Sequence, residues 1–215
     1  MNYYNREDIE NLEKQFRINL VNSLSGYKSA NLIATKSKDE ITNVAIYSSV
    51  IHLGSNPPLL GFILRPTSVE RNTYDNLVST GEFTVNHIHK GIIKDAHHTS
   101  AKYDGKISEF DKTDLTEEYH KGFYPPFVKE AKIKIGCKLV NYYYLKENQC
   151  RMIIGEIEHL LFEDGIEEKD GWLNLEKAET IAINGLDGYT ETHLIDRFDH
   201  AKPNKEVNSI LDEEK

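Results

Sequence analysis

The fold is decided between Thr42 and Asn86, where the chain reads TNVAIYSSVIHLGSNPPLLGFILRPTSVERNTYDNLVSTGEFTVN. Apolar runs alternate here with proline, glycine and small polar residues, which predicts two strands, a short helix and a third strand. With the elements in this order, hydroxyl side chains, arginines and the start of the helix lie close together in the sequence. We therefore expect the stretch to bind one phosphorylated ligand.

Strand patterns dominate the rest of the chain. Ala30 to Thr35 and Ile41 to Leu53 predict a hairpin, in which the second segment is one long strand. Lys129 to Leu145 and Cys150 to Phe162 predict a longer hairpin. Short strands are predicted at Leu59 to Leu64, Phe83 to Ile88, Trp172 to Leu175 and Thr180 to Ile183. Because the connections are short, most pairings should be antiparallel, and a closed or partly closed barrel fits better than a doubly wound sheet.

Helices are predicted as covers of this mainly β fold. Arg6 to Leu20 carries one apolar stripe at helical spacing. Thr67 or Ser68 can cap a helix that runs through Thr80, with Gly81 in the stop position.

The remaining segments predict a single domain. Ile92 to Lys102 has a helical pattern, and the polar run from Tyr103 to His120 has the pattern of a surface excursion. No internal repeat or linker-like change of composition occurs, so residues 1–200 are predicted to form one domain. Residues 201–215 are polar and end in charged residues, which indicates a loosely attached tail.

Composition narrows the class of protein. The 215-residue chain is 39% hydrophobic and 28% charged, within the range of soluble globular proteins. Its net charge of −9 argues against a surface for nucleic acid or anionic membrane. No apolar run reaches the ~18 residues of a membrane span, and no signal-peptide pattern occurs, so we expect a cytoplasmic protein. Cys137 should lie opposite a residue near position 157, away from Cys150.

A phosphate site is the main chemical signal. Arg65, Thr67, Ser68, Arg71 and Thr73 lie in one segment at the predicted helix start, where amides, hydroxyls and guanidinium groups bind phosphate. The alternative is a capped surface helix with solvated arginines. The chain has neither the Gly-Lys-Ser/Thr triplet of a P-loop nor a Gly-x-Gly-x-x-Gly fingerprint.

The histidines give a weaker signal. His87 and His89 would share one face of a strand and could chelate a metal ion. His97 and His98, adjacent on a helix, would point in different directions. No His-Glu-x-x-His, Cys-x-x-Cys or Gly-x-Ser-x-Gly motif accompanies them, which disfavours both a metal site and a serine hydrolase.

In their order and spacing, short motifs from about Ala30 to Ile157 resemble those of the flavin reductase-like, FMN-binding split-barrel family. The motifs are Asn43-Val44-Ala45 with Ser48-Ser49, Asn56-Pro57-Pro58, Arg71-Asn72-Thr73 with Asn76, Gly81-Glu82-Phe83 with Val85-Asn86, Ser108-Glu109-Phe110 with Leu115, and Gly155-Glu156-Ile157. Arg65-Pro66 and the run from Ala96 to Tyr103 resemble a subgroup of small flavoproteins. Gly185 to Tyr189 resembles the family's C-terminal segment.

The resemblance implies a six-stranded Greek-key barrel, a homodimer and one FMN per subunit. The implied flavin contacts form three groups: Ile46, Tyr47, Ser48 and Ser49 at the ring edge and ribityl chain; Arg65, Pro66, Ser68, Arg71, Asn72 and Thr73 at the phosphate; and Asn86, His87, His98 and Ser100 near the flavin.

The resemblance also implies an oxidoreductase of flavin reductase type. Hydride would pass from NADH or NADPH to the flavin and on to an acceptor, without a catalytic side chain. Dedicated NADH:flavin reductases of the family tend to carry an Asp-His pair where this chain has Asn148-Gln149, which weakens the case for NADH as the donor. The alternatives are a non-catalytic flavin carrier or sensor and a haem- or metal-binding barrel built on His87, His89 and His98.

The segment from Lys129 to Phe162 has more apolar and aromatic residues than a barrel with one solvated face requires. We therefore expect a homodimer that buries part of this hairpin, with the flavin near the seam. Within it, Tyr142 and Tyr144 should share one strand face and Tyr143 the other. These tyrosines predict either packing, including a subunit interface, or an aromatic wall over the flavin.

Overall fold

The computed structural model describes residues 1–69 and 71–211. Its strands are β1 (Lys28–Ser29), β2 (Asn31–Lys36), β3 (Thr42–Tyr47), β4 (Ile51–Ser55), β5 (Pro58–Leu64), β6 (Glu82–His87), β7 (Glu117–Glu118), β8 (Phe127–Val128), β9 (Ile133–Tyr144), β10 (Arg151–Phe162), β11 (Ile181–Asn184) and β12 (Gly188–Glu191). Its α-helices are α1 (Arg6–Asn11), α2 (Lys14–Leu24), α3 (Asn72–Thr80) and α4 (Ile93–His98), and two 3₁₀ turns span Lys90–Ile92 and Glu109–Lys112.

Seven strands form one antiparallel sheet in the order β3-β2-β6-β9-β10-β5-β4. Strands β3 and β4 follow each other in the chain, yet they lie at opposite edges of this sheet. In a flat sheet these edges would be about 29 Å apart, whereas the link from Tyr47 to Ile51 spans at most ~14 Å. The sheet must therefore curl into a barrel that is open between β3 and β4, so the predicted split barrel is confirmed.

The break between β3 and β4 corrects one prediction. The segment from Ile41 to Leu53 is two strands, and for that reason the sheet has seven strands where six were expected. At the break, the Ser49 hydroxyl accepts a hydrogen bond from the Ile63 amide at 3.0 Å and donates one to the Ile63 carbonyl at 3.3 Å. A side chain thus takes the place of a strand ladder while the chain crosses from one edge to the other.

The core has two layers on opposite faces of the sheet, because Ile33 belongs to one layer and its neighbours Leu32 and Ala34 to the other. Inside the barrel, Phe62 packs edge-to-face on Tyr47 and Phe83, with ring centroids 5.1 and 5.5 Å away. The outer layer lies under the small β1-β11-β12 sheet and the loops.

The segment from Tyr103 to His120 is only in part the predicted surface excursion, because its middle is buried. Phe110 and Leu115 are buried in the outer core layer, at 7% and 5% exposure. Glu109 is also buried, and its carboxylate accepts a hydrogen bond from the Val44 amide at 3.0 Å. Apolar residues spaced too irregularly for a helix or a strand thus seal one face of β3.

The predicted helices are present, but their bounds differ. The first is interrupted at Leu12, because the Glu13 carboxylate accepts a hydrogen bond from the Phe16 amide and begins a second helix. Helix α3 begins at Asn72, later than predicted, and ends as predicted at Gly81, whose φ is 78°. The segment predicted as a helix from Ile92 is helical only to His98.

The long hairpin has the predicted register, since Cys137 lies opposite Ile157. At its turn end Tyr142 lies opposite Ile153, and Tyr144 lies opposite Arg151. Near the C-terminus, Trp172 to Leu175 is not a strand, whereas β12 was not predicted.

The proposed tail extends to residues 212–215, which lie outside the described ranges. In its described part, the Ile210 amide donates a hydrogen bond to the Arg197 carbonyl at 2.9 Å. The division at residue 200 stays a prediction. Across the described residues, no helix is long and apolar enough to cross a bilayer.

Candidate functional site

The six arginines of the chain fall into two sets. Arg6 forms an ion pair with Glu10, Arg197 with Asp170, and Arg17 donates a hydrogen bond to the Glu10 carbonyl. Within the described residues Arg17 forms no ion pair with a carboxylate, and the same holds for the second set, which consists of Arg65, Arg71 and Arg151.

These three arginines meet at one end of the barrel. Arg151 begins β10 and lies opposite Leu64, the residue before Arg65. Arg71 precedes α3, and its Nε donates a hydrogen bond to the Pro66 carbonyl at 3.3 Å. Unpaired guanidinium groups in a chain of net charge −9 create a local positive site suited to an anion.

The N-terminus of α3 adds to this positive potential. Its first residue is Asn72, and the side chain of the preceding residue, Arg71, makes no capping hydrogen bond. The amides of Tyr74 and Asp75 bond to the Arg71 carbonyl, so the earliest amides of the helix are the ones left for a ligand. Free N–H groups and the helix dipole favour a phosphate at this position.

Two hydroxyls complete what we term the anion site, which consists of Tyr47, Arg65, Arg71 and Thr73. Asn43 donates a hydrogen bond to the Thr73 hydroxyl oxygen at 3.1 Å, which leaves the Thr73 proton for another acceptor. Burial raises the pKa of the Tyr47 phenol, although Thr73 and the charges of Arg71 and Arg65 act in the opposite direction. The phenol therefore stays protonated as a donor near neutral pH.

The structure thus brings together three of the predicted phosphate residues, Arg65, Arg71 and Thr73, and adds a positioning residue, Asn43, which sequence reasoning did not assign. Asn43 belongs to the Asn-Val-Ala motif, and its strand alternation with Tyr47 was the available signal. Ser68 is exposed in the preceding turn, and Asn72 donates a hydrogen bond to the Gly105 carbonyl at 3.2 Å.

The segment from Ile46 to Ser49 lies where the barrel opens. Strand β3 is an edge strand paired only with β2, so its outer backbone edge is open near Ile46 and Tyr47. Such an edge suits the polar rim of a flat heteroaromatic ring. The Ser49 hydroxyl is engaged with Ile63, whereas Ser48 is half-buried.

Asn86 is not available for a ligand. It is 0% exposed, and its amide nitrogen donates to the Leu32 carbonyl at 3.2 Å and to the Thr84 hydroxyl at 2.9 Å. Its oxygen accepts from the Val128 amide at 3.0 Å. Because all these groups are satisfied inside the protein, Asn86 holds β2, β6 and β8 together.

The predicted histidine contacts lie in two places: His87 shares a cross-strand row with Tyr47 through β2, whereas His98 lies on α4. The Nδ1 atom of His87 is buried without a hydrogen-bond partner in the described structure, and burial lowers the pKa of His87 to about 4. His98 is exposed on α4, with Nε2 3.1 Å from the Tyr103 hydroxyl, and Ser100 follows it in an exposed turn. Neither His98 nor Ser100 is hydrogen-bonded to the anion site in the ranges described.

A metal site on His87, His89 and His98 has no geometric support. His89 lies beyond the end of β6, with Nε2 3.1 Å from the Glu130 carbonyl and Nδ1 accepting from the Gly91 amide. In the part of the chain that the structure describes, no three His, Cys, Asp or Glu side chains are placed to share a metal ion.

Comparison with known proteins gives the family. Residues 24–178 match the model of the "Flavin reductase like domain". The chain belongs to the flavin reductase-like family. An uncharacterised protein of Aquifex aeolicus strain VF5 is 31% identical over 155 residues, which cover 71% of this chain and 78% of the relative.

Solved structures that are similar to this chain agree with the family assignment. One from Shewanella frigidimarina NCIMB 400, provisionally described as a flavin reductase with a split barrel domain, is 43% identical and has a TM-score of 0.90, covering 94% of this chain and 100% of that one. An FMN-binding protein from Thermus thermophilus with bound 1-cyclohex-2-enone has a TM-score of 0.68 at 15% identity, covering 89% and 96% of the two chains, and shows the fold alone. Family and fold identify a flavin-related oxidoreductase.

Proposed function

We propose that this protein binds FMN, with the phosphate in the anion site, and acts as a flavin reductase-type oxidoreductase that takes hydride from NADH or NADPH. The observation that carries the proposal is the meeting of Arg65 and Arg71, which form no ion pair within the described residues, with two hydroxyls at the start of α3. A phosphate monoester carries a charge of about −1.5 to −2 at neutral pH, which two guanidinium groups balance.

The residues around the site fit the rest of the flavin. The open edge of β3 supplies backbone groups for the polar rim of the ring, and Tyr47 and Thr73 donate toward the phosphate. Bound flavin would supply the redox chemistry, accepting hydride from a reduced nicotinamide and passing electrons to an acceptor. The protein binds and orients the flavin, and His87 has no assigned part because its free nitrogen is buried.

The test compares FMN with riboflavin, which lacks the phosphate. Losing one charge-assisted contact costs about 1.5–3 kcal/mol, so Arg71→Ala and Thr73→Ala should each weaken FMN binding by roughly 10- to 150-fold. Riboflavin affinity should stay unchanged. Arg6→Ala is the matched control, because it removes an arginine whose charge is engaged by Glu10.

The phosphate assignment fails if both substitutions leave FMN affinity unchanged, or if they weaken riboflavin equally. A parent protein that binds neither flavin would overturn the proposed cofactor altogether.

A flavin carrier or sensor is the second candidate, and Asn148-Gln149 favours it. Both residues belong to the exposed turn between β9 and β10, where the Asn148 side chain accepts a hydrogen bond from the Cys150 amide at 3.1 Å. The Gln149 amide donates to the Leu145 carbonyl at 2.8 Å. The pair therefore builds the turn. Stopped-flow mixing decides: flavin reduction by NADH or NADPH at tens per second supports the enzyme, and no reduction by either donor supports the carrier.

We also propose that the protein is a homodimer with the flavin near its seam. Ile51, Ile63 and Met152 lie on the outer face of β4, β5 and β10, and the registers place Gly61 opposite Ile51 and Ile63 opposite Met152. Ile51 is 49% exposed. An apolar stripe across neighbouring strands, next to the opening of the barrel, suits burial against a second copy.

A further inference from the structure

A ledge of aromatic rings adjoins the anion site. It consists of Tyr74 on α3, Tyr142 and Tyr144 at the end of β9, and Arg151 at the start of β10; we term it the tyrosine ledge. The rings of Tyr74 and Tyr142 meet edge-to-face with centroids 5.7 Å apart. The guanidinium carbon of Arg151 lies 4.6 Å from the centre of the Tyr74 ring and 5.7 Å from that of Tyr144.

Strand geometry decides which tyrosines belong to the ledge. Tyr142 lies opposite the buried Ile153 and Tyr144 lies opposite Arg151, so these two side chains share the face that continues the barrel interior. Tyr143, opposite Met152, is on the other face. The hairpin therefore extends its inner face past the barrel core, up to α3.

The ledge is open to solvent although it is largely aromatic. Tyr142 is 40% exposed and Tyr144 is 53% exposed, while Arg151 is half-buried between the rings. Across the residues the structure describes, Arg151 has no carboxylate partner and no hydrogen bond of its side chain to protein. Its donors are therefore directed to solvent or to a ligand.

The ledge and the anion site are continuous. Tyr74 directly follows Thr73, and Arg151 lies opposite Leu64, the residue before Arg65. A ligand phosphate held by Arg65 and Arg71 would thus have a third guanidinium and a set of rings beside it. One phosphate monoester is balanced by two arginines, so the third matches a second phosphate.

The chemistry of the ledge selects a purine nucleotide. A flat heteroaromatic base stacks on tyrosine rings and on an arginine guanidinium, and its phosphate is bound by the same arginine. We propose that the tyrosine ledge binds an adenosine 5′-phosphate group, which is the half that FAD adds to FMN and that NADH and NADPH also contain. The inference rests on the proposed function, because it takes the flavin phosphate in the anion site as its starting point.

The experiment measures the affinities of the full-length protein for FMN, for FAD and, with FMN bound, for NADH and NADPH. The variants are Tyr142→Ala, Tyr144→Ala and Arg151→Lys, which keeps the charge but removes the flat stacking surface. Tyr27→Ala is the matched control, since Tyr27 is 70% exposed and lies before β1, away from the hairpin. Loss of one stacking contact should weaken binding of the adenosine-containing ligand by about 5- to 150-fold and leave FMN affinity unchanged.

The two sources of the adenosine group give different outcomes, and either one supports the proposal. If the ledge serves FAD, the variants lower FAD affinity to nearly that of FMN. If it serves the electron donor, they lower NADH or NADPH affinity while FAD and FMN stay equal.

Variants that bind FMN normally and show no change for FAD, NADH or NADPH would overturn this inference alone. A parent that binds no flavin would overturn the proposed function and this inference together.

Discussion

His87 makes the stability of this protein depend on pH in a way that the structure allows us to calculate. Its Nδ1 atom is buried without a partner in the described structure, and burial lowers the pKa from 6.5 to about 4. The His87 side chain therefore binds a proton near pH 6.5 in the unfolded chain, but only near pH 4 in the folded protein. Stability is fully present above pH 6.5 and is lost progressively as the pH falls toward the folded pKa.

The expected loss follows from the two pKa values. When the pKa of a group differs by 1 between the folded and unfolded chains, the free energy of unfolding changes by about 1.36 kcal/mol. Between about pH 7.5 and pH 4.5 the linkage relation gives a loss of about 2.5 kcal/mol from this one side chain. Other groups also titrate in this range, so the quantity to compare is the change in each protein over the same interval.

The assay is urea unfolding of the parent and of His87→Asn at both pH values. The free energy of unfolding of the parent should fall by about 2 to 3 kcal/mol more than that of His87→Asn. His52→Asn removes an exposed histidine from β4 and should behave as the parent does. Equal losses in parent and His87→Asn would refute the argument that burial keeps His87 neutral.

Two further predictions concern the structural role of one side chain and the assembly. Asn86→Ala leaves the Val128 amide unpaired in the core and removes the side-chain hydrogen bond to the Leu32 carbonyl, so it should lower the free energy of unfolding by about 1–3 kcal/mol in urea titrations. FMN affinity measured in the folded variant should be unchanged, and a variant of parental stability that loses FMN would contradict this placement. Light scattering at micromolar concentration should give twice the 24.7 kDa mass of one chain, and a monomer mass would refute the dimer.

The sequence alone determined the class of the fold and most of its strands. Alternating apolar residues fix which segments form strands, and these patterns are local, so Phe83 to Ile88 and the long hairpin were found nearly in place. The register of the hairpin follows from its turn, which is why Cys137 and Ile157 were expected to face each other. The stop of α3 was likewise local, because Gly81 adopts a left-handed conformation that other residues rarely accept.

The tertiary structure alone decided where the strand from Ile41 to Leu53 breaks. No residue in Ser48 to Val50 is a helix or strand breaker by itself. The break exists because closure of the sheet places β3 and β4 at opposite edges, and closure depends on pairings between residues far apart in the chain. The same dependence explains why the buried segment around Phe110 had the pattern of a surface excursion.

The sequence predicted some features of the candidate site, and only the tertiary structure decided the others. Its phosphate residues lie within one segment, so their spacing was readable, and the resemblance added Tyr47 from the neighbouring strand. Which arginines lack a carboxylate partner depends on contacts across the fold, as does the commitment of Asn86 to Val128. The contacts of Tyr74 with Tyr142 and Arg151 also depend on the tertiary structure. Helix α3 is distant in the chain from β9 and β10, and only the curvature of the barrel brings them together.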